Sequence, residues 1–237
     1  MYTNGSAQPK MTKINGRRLR GERARAEILL RSAKIASIDG LEGLSIGRVA
    51  AEAGVGKGNI QILFGNKESL QLATLEKAVE LFHSTVIFPA MNQKTALAKL
   101  LALVEGWFDF VEKRTLPGGC FVNAVSSEYR ARQGRIHDRI VEHRVATRDR
   151  YRRLITDAKS AGELRAEVDI EQLVFDLVAN EAVANVAALM EESEEFERAR
   201  TTSLGRIRES MPSSLLKRKR PQAPRRSAKG RAKDVSS

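Results

Sequence analysis

The fold is decided by residues 44–60, which read LSIGRVAAEAGVGKGNI. Ser45 is of the residue type that caps the start of a helix, and Gly54 is of the type that ends one. We predict a tight turn at Gly54 and Gly56 and a second short helix that begins at Lys57. Two short helices joined by a glycine-containing turn predict a helix-turn-helix unit, whose second helix fits the major groove of DNA.

A longer helix is predicted before this unit, from about Glu22 to Ile38, where Asp39 and Gly40 end it. Apolar residues of the two short helices have the spacing of a small shared core, which would fix the angle between them. These core candidates are Ile46, Val49, Ala50, Val55, Ile60 and Phe64.

The rest of the chain also has the apolar period of helices. Gly and Pro are sparse there, and alternating runs of β-branched residues are nearly absent. We therefore predict an all-α fold with about nine helices in total. The later helices are predicted at about 66–86, closed by Pro89, and at about 95–113, 120–132, 135–160, 169–191 and 194–209.

The formal net charge of +12 lies at the two ends of the chain. Residues 1–25 carry seven basic residues against Glu22, and residues 217–237 carry nine against Asp234. Residues 26–70 balance at five basic and five acidic residues. The basic ends favour a polyanion such as DNA, so a DNA-binding protein that ignores sequence stays open as an alternative.

These patterns divide the chain into four parts. Residues 1–20 are predicted to form a basic disordered arm and residues 212–237 a basic disordered tail, because both have little to bury. Residues 21–70 form the predicted DNA-binding domain, and residues 71–211 a second helical domain.

The single cysteine, Cys120, excludes an intrachain disulfide and a zinc site built from several thiolates. No apolar run reaches the ~18 residues of a membrane-spanning helix, and the N-terminus lacks the apolar stretch of a signal peptide. We expect a cytoplasmic protein with no membrane partner, cofactor or metal. Catalysis by Cys120 with His83, His137 or His143 lacks a surrounding motif, so no catalytic residue is predicted and we do not expect an enzyme.

Residues 44–60, followed by Phe64 and by Lys67-Glu68-Ser69-Leu70, resemble the N-terminal domain of TetR-family bacterial regulators over about residues 23–72. The resemblance implies a DNA-binding transcription regulator, most often a repressor, that binds a pseudo-palindromic operator as a homodimer. It also implies that the second helical domain binds a small-molecule effector, forms the dimer and releases the protein from DNA. Such a protein is cytoplasmic and lies on the nucleoid when bound to DNA.

The resemblance carries over to individual DNA-contacting positions. The family usually has aromatic residues at positions 61–63, where this chain has Gln, Ile and Leu. Gln bonds adenine, and Ile contacts the methyl group of thymine. The candidate DNA-binding residues are Lys57, Gly58, Asn59, Gln61 and Ile62 on the second short helix, and Ser45, Arg48 and Lys67 as phosphate contacts, of which Arg48 matches most weakly.

The same resemblance implies an apolar effector pocket and a dimer interface in residues 71–211. The candidate pocket residues are Phe82, Leu103, Trp107, Phe108, Cys120, Phe121, Val125 and Tyr129. The candidate dimer residues, on the last two long helices, are Leu173, Leu177, Ala184, Ala188 and Leu204.

Two features leave alternatives open. Residues 130–153 hold nine Arg against three acidic residues, which indicates either a solvated helix face or a site for an anion. Cys120 follows Gly118 and Gly119 near a predicted helix start, where a thiol pKa falls, so a redox or electrophile sensor on the same fold is a second alternative.

Overall fold

The computed structural model describes residues 11–216, and within them every regular element is helical. The predicted all-α fold is confirmed, and nine of the helices have eight residues or more. The helices are α1 (Met11–Asp39), α2 (Ile46–Ala53), α3 (Lys57–Phe64), α4 (Lys67–Phe82), α5 (Phe88–Met91), α6 (Ala96–Glu112), α7 (Phe121–Tyr129), α8 (Arg135–Ser160), α9 (Ile170–Leu189), α10 (Ser193–Glu209) and α11 (Ser213–Leu216).

The first helix begins earlier than the sequence predicted. Helix α1 starts at Met11, so the predicted disorder is wrong for residues 11–20, whereas residues 1–10 lie outside the described residues. Residues 18–27 are fully on the surface, and Arg18 pairs with Glu22 one helical turn away, at 2.9 Å. Good helix formers and such pairs extend a helix without any buried contact.

Helices α1 to α4 enclose the core of the N-terminal domain. Val49 and Ala50 of α2 and Ile60 and Phe64 of α3 are buried, as predicted. Ile46 and Val55 are only partly buried and pack against the edge of this core. The guanidinium of Arg25 in α1 lies 5.0 Å from the centroid of the Phe64 ring, which ties α1 to α3.

Helices α4 to α10 form the C-terminal bundle, in which α9 lies along α10 and α6 lies against α8, α9 and α10. The predicted boundaries of α8 are confirmed, and α6, α7, α9 and α10 each begin and end within three residues of prediction. The largest fully buried side chains of the C-terminal bundle include Leu100, Phe108, Tyr151, Ile155 and Leu177.

The segment after α4 differs from prediction. A π-helical turn spans His83–Ile87, and Pro89 lies inside the short helix α5 instead of ending α4. Proline is tolerated there because it occupies the first turn of α5, where its missing N–H has no helical partner. Helix α11 lies in the stretch predicted to be a disordered tail, and residues 217–237 lie outside the described residues.

Candidate nucleic-acid interface and internal cavity

Ser45 begins α2 as its N-cap. Its backbone is extended, with φ −127° and ψ 153°, and its hydroxyl accepts a hydrogen bond of 3.2 Å from the backbone N–H of Arg48. The side chain is exposed beside the first turn of α2. A helix start of this kind favours an anion, because unpaired backbone N–H groups point outward there.

The turn between α2 and α3 depends on Gly54. Its φ of 66° and ψ of 31° are left-handed, a conformation that glycine adopts without steric cost. The N–H of Gly54 bonds to Ala51 O at 3.2 Å, and the N–H of Val55 bonds to Ala50 O at 3.0 Å. These bonds close the end of α2 and set the direction in which α3 leaves.

Helix α3 separates its residues into an inner and an outer side. Ile60 and Phe64 are buried, whereas all five residues proposed for base contacts are exposed. Ile62 is an apolar side chain with 85% of its surface exposed. The exposed set is Lys57, Gly58, Asn59, Gln61 and Ile62.

Lys57 lies across the start of α2. A Cβ atom built on Gly47 would lie 3.1 Å from Lys57 Cε and 3.5 Å from its Nζ. The absence of a side chain at Gly47 therefore leaves room for the stem of Lys57 between the two helices. Lys57 stays exposed, so its ammonium group can reach solvent on the outer face of α3.

The two basic residues outside α3 each meet a carboxylate. Arg48 Nη2 lies 2.6 Å from Asp39 Oδ2. Lys67 Nζ donates to the carbonyl oxygen of Glu42 at 2.9 Å and lies 3.3 Å from its carboxylate. To contact a DNA phosphate, each side chain would have to release the carboxylate that it contacts within the N-terminal domain.

Glu42 connects the DNA-binding domain to the bundle. The hydroxyl of Tyr129 in α7 donates to Glu42 Oε1 at 2.7 Å, and Arg132 lies 3.1 Å from the same oxygen. The bond from Tyr129 and the nearby cations Lys67 and Arg132 lower the pKa of Glu42. Tyr129, predicted to line the effector pocket, therefore lies at the junction of the two domains.

The loop that leads into α7 fits closely on the end of α1. The N–H of Gly118 donates to Ser37 Oγ at 3.0 Å. A Cβ atom on Gly118 would lie 1.7 Å from the carbonyl oxygen of Ser37, so only glycine fits this contact. One residue along, Gly119 has a left-handed φ of 73°.

A cavity that is partly open to solvent lies among α4, the π-helical turn, α6, α7, α8 and α9. Five of the predicted pocket residues line it, namely Phe82, Leu103, Trp107, Cys120 and Phe121.

The other predicted pocket residues do not line this cavity. Phe108 packs into the core with its ring centroid 5.0 Å from that of Trp107 and 5.5 Å from that of Phe196. Val125 is fully buried behind the cavity wall, and Tyr129 lies at the domain junction. Apolar spacing could not separate these residues from the lining, because both kinds face inward.

The π-helical turn contributes His83 and Ile87 to the cavity wall. The wider turn of a π-helix displaces side chains from the regular α-helical positions, and such turns often occur at functional sites. Helix α6 lies close to this turn because Gly106 has no side chain. A Cβ atom there would lie 3.0 Å from Val86 Cγ1.

The cavity also has a polar wall, which the sequence prediction missed. On its inner side, the buried Tyr151 hydroxyl donates to the carboxyl of Glu181, and burial raises the pKa of Glu181 to about 8. In the sequence, the arginine-rich stretch of residues 130–153 had left a site for an anion open. The remaining polar lining residues are His83, Asn123, His143, Arg144, Thr147, Arg148 and Arg150.

Cys120 caps the start of α7 without the low thiol pKa that a sensor would need. Burial raises the pKa of its thiol to about 11, and the backbone N–H groups of Asn123 and Val122 offset this only in part. Within residues 11–216, no imidazole hydrogen-bonds to Cys120 Sγ. The raised pKa argues against a reactive Cys120. Residues 11–216 contain no His, Cys, Asp and Glu cluster suited to a metal.

Most of the predicted dimer residues are buried inside the single chain. Leu173, Leu177 and Ala184 of α9 and Leu204 of α10 pack in the core, and Ala188 is half-buried against it. A single chain therefore already covers them, and they cannot supply most of an exposed interface.

The opposite face of α9 is apolar and exposed. Helix α9 is apolar around most of its circumference, and among the described residues it alone is long and hydrophobic enough to cross a membrane, with a mean hydropathy of 1.2. One side packs on α8 and α10, which leaves the other in solvent. We call this side the α9 stripe; its large apolar residues are Phe175, Val183, Val186, Leu189 and Met190.

Comparisons with known proteins match the C-terminal half of the chain by a family model and most of the chain by fold. Residues 96–203 match the family model described as the tetracyclin repressor-like C-terminal domain, and no curated protein matches the sequence. A TetR transcriptional regulator from Chloroflexus aurantiacus J-10-FL is 24% identical with a TM-score of 0.74, over 81% of this chain and 98% of that one. A TetR-family regulator from Streptomyces coelicolor is 23% identical with a TM-score of 0.66, over 79% and 95%.

A third solved structure carries ligands. AibR, in complex with isovaleryl coenzyme A and operator DNA, is 20% identical with a TM-score of 0.57, over 68% of this chain and 85% of that one. At this identity the likeness concerns the fold.

Proposed function

We propose that this chain is a transcriptional repressor of the TetR family. It binds a pseudo-palindromic operator as a homodimer and leaves it when a small molecule enters the cavity. The protein acts in the cytoplasm, on the nucleoid. The observation that carries the proposal is the outer face of α3, where Lys57, Asn59, Gln61 and Ile62 are all exposed on a helix fixed by its buried side.

These four side chains are suited to reading base edges. Lys donates to guanine, Asn and Gln bond adenine in a bidentate manner, and an exposed Ile contacts the methyl group of thymine. Because residues 26–70 carry no net charge, the specificity of the complex rests on these contacts, and the basic residues of 1–25 add affinity for any DNA. AibR, which shares the fold, was solved with operator DNA.

We propose that the α9 stripe forms the dimer interface in place of the buried residues predicted from sequence. A continuous row of large apolar side chains on the surface is costly unless a partner covers it. A two-fold axis through this stripe would pair it with itself and place two α3 helices on one side of the dimer. Two half-sites related by the same axis give the operator its pseudo-palindromic sequence.

Helix α7 supports a link between the cavity and DNA binding. Cys120 and Phe121, at its start, line the cavity, and Glu128 and Tyr129, at its end, hold the loop before α2. A ligand that displaces the start of α7 therefore acts on the loop that positions α2 and α3. Release of the operator follows when the ligand prefers the displaced arrangement.

The proposal is tested by titrating the ligand-free protein with its own upstream DNA and with a random duplex of equal length at rising salt. We expect the upstream complex to survive at moderate salt, while the random complex is lost, because counterion release alone weakens steeply with salt. Deleting residues 217–237 should lower both affinities alike. Equal, weak binding to both duplexes would refute sequence-specific regulation and favour the alternative of non-specific binding.

A further inference from the structure

We propose that the cavity binds an organic anion with an apolar body, whose acidic group is held by Arg144, Arg148 and Arg150 of α8. The inference rests on the proposed function, because this anion would be the effector. It names the chemical class of the ligand from the cavity itself.

The first support is the lack of carboxylate partners for these three arginines. Elsewhere on α8, Arg139 pairs with Glu76 and Glu142, and Arg152 pairs with Asp149 and Glu171. Among residues 11–216, by contrast, no carboxylate lies within 4.0 Å of the guanidinium groups that line the cavity. The arginines that line the cavity thus lack a carboxylate partner, whereas Arg139 and Arg152 of the same helix each have one.

The second support is their partial burial. Desolvation lowers the pKa of Arg144 and of Arg150, and neighbouring arginines lower them further, namely Arg148 for the first and Arg153 for the second. Holding several cations together out of water is unfavourable unless an anion joins them. A carboxylate or phosphate would meet this need and accept paired N–H donors from a guanidinium.

No acid in the wall supplies that anion. Burial raises the pKa of the Glu181 carboxyl to about 8, and the Tyr151 hydroxyl donates a hydrogen bond to it. The carboxylate of Glu76 is already held by Arg139 and His143. His83 is near Arg150 and His143, which together with burial lower its pKa, so it adds little charge of its own at neutral pH.

The third support is the apolar wall opposite the arginines. Phe82, Leu103, Trp107, Phe110 and Phe121 provide aromatic and aliphatic surface along the same cavity. A ligand that is only a small anion would leave this surface uncovered, and a neutral hydrocarbon would leave the arginines unpaired. An anion with an apolar body satisfies both walls.

Trp107 provides the readout, because it is the only tryptophan of the chain and lines the cavity. Its fluorescence is measured while the ligand-free protein is titrated with decanoate, decyl phosphate, 1-decanol or decylammonium below their micellar concentrations. The four probes carry unbranched apolar chains that differ by a single methylene at most. We expect each anion to bind at least about tenfold more tightly than 1-decanol, and decylammonium to bind most weakly. The difference between decanoate and decyl phosphate distinguishes a carboxylate ligand from a phosphate ligand.

The matched variants are Arg144→Gln with Arg150→Gln, and Arg135→Gln as the control. Arg135 is exposed on the same helix and does not line the cavity. The double variant should bind decanoate and 1-decanol alike, whereas the control should keep the preference of the native chain. Circular dichroism confirms that each variant is folded.

Equal affinity for 1-decanol and decanoate in the native chain, or no binding of either anion by folded protein, would overturn the inference. These outcomes are independent of the proposed function, which is judged by operator binding without ligand. Loss of operator binding refutes the function and leaves the ligand preference intact. A preference for anions that survives in the double variant would show that the arginines do not carry it.

Discussion

The carboxylate of Glu128 accepts a hydrogen bond of 2.9 Å from the backbone N–H of Leu41, in the loop that joins α1 to α2. Its other oxygen accepts a bond of 2.8 Å from the N–H of Glu42. A side chain 87 positions along the chain thus supplies the hydrogen-bond acceptors for a turn of the DNA-binding domain. This pair of bonds joins the two domains beside the cavity-lining helix α7.

Replacing Glu128 by Ala should destabilise the protein by about 2 kcal/mol, since two N–H groups lose a charged acceptor. It should also weaken the effect of a cavity ligand on operator affinity, because α7 no longer holds the loop. Thermal unfolding and operator titration with and without ligand measure the two effects. Ser127→Ala, an exposed change in the same helix, is the control. If a cavity ligand lowers operator affinity as much in a Glu128→Ala protein as in the native chain, α7 does not link the cavity to the DNA-binding domain.

The outer face of α3 should set sequence preference. The double change Lys57→Ala with Asn59→Ala should cost about 1–3 kcal/mol per lost base contact on the operator and much less on random DNA. Lys94→Ala, an exposed change in the loop before α6, should leave the ratio of the two affinities unchanged. Fluorescence anisotropy with both duplexes gives the ratio. An equal loss of affinity for both duplexes would show that these residues contact phosphates instead of bases.

The α9 stripe should control the oligomeric state. Val186→Glu should weaken the dimer by about a hundredfold or more, because the two-fold axis would bury two acids without partners. Light scattering coupled to size-exclusion chromatography gives the mass. Ile38→Glu makes the same change at an exposed apolar position of α1 and should leave the mass unchanged. A Val186→Glu protein that stays dimeric would place the interface elsewhere.

The buried Glu181 should make stability depend on pH. Its pKa is raised from 4.5 to about 8 in the folded chain, so between these values the folded state holds a proton that the unfolded state has lost. The free energy of unfolding therefore falls as the pH rises through this window. Glu181→Gln keeps an acceptor for Tyr151 and removes the titration. Its melting temperature should exceed that of the native chain at pH 8, with a gap that narrows towards pH 5. A difference in melting temperature that is the same at pH 5 and at pH 8 would contradict the raised pKa of Glu181.

Much of the N-terminal domain was predictable, because it depends on contacts within a few residues. The cap at Ser45, the end of α2 at Gly54 and the core positions Ile60 and Phe64 of α3 follow from local rules, and each was predicted. The start of α1 was missed because residues 11–20 look disordered by composition, although their Lys and Arg residues are good helix formers.

For the C-terminal bundle, the positions of the helices were predictable from the sequence. Which side of each helix faces the core was not. Helix α9 is apolar nearly all round, so periodicity gave no reason to bury Leu177 and expose Val186. The same holds for Phe108 and Trp107, neighbours in sequence of which only Trp107 reaches the cavity. Packing against α8 and α10 decides which of these side chains are buried.

The amino-acid sequence by itself determined the helices, the helix-turn-helix unit and the residues that α3 presents, since these follow from interactions between near neighbours. Only the tertiary structure decided which residues face the cavity, which side of α9 stays exposed and which arginines of α8 lack a partner. It also brought Glu128 to Leu41 and Tyr129 to Glu42. The physical reason is that such contacts join residues far apart in the chain, and their geometry is fixed only when whole helices pack.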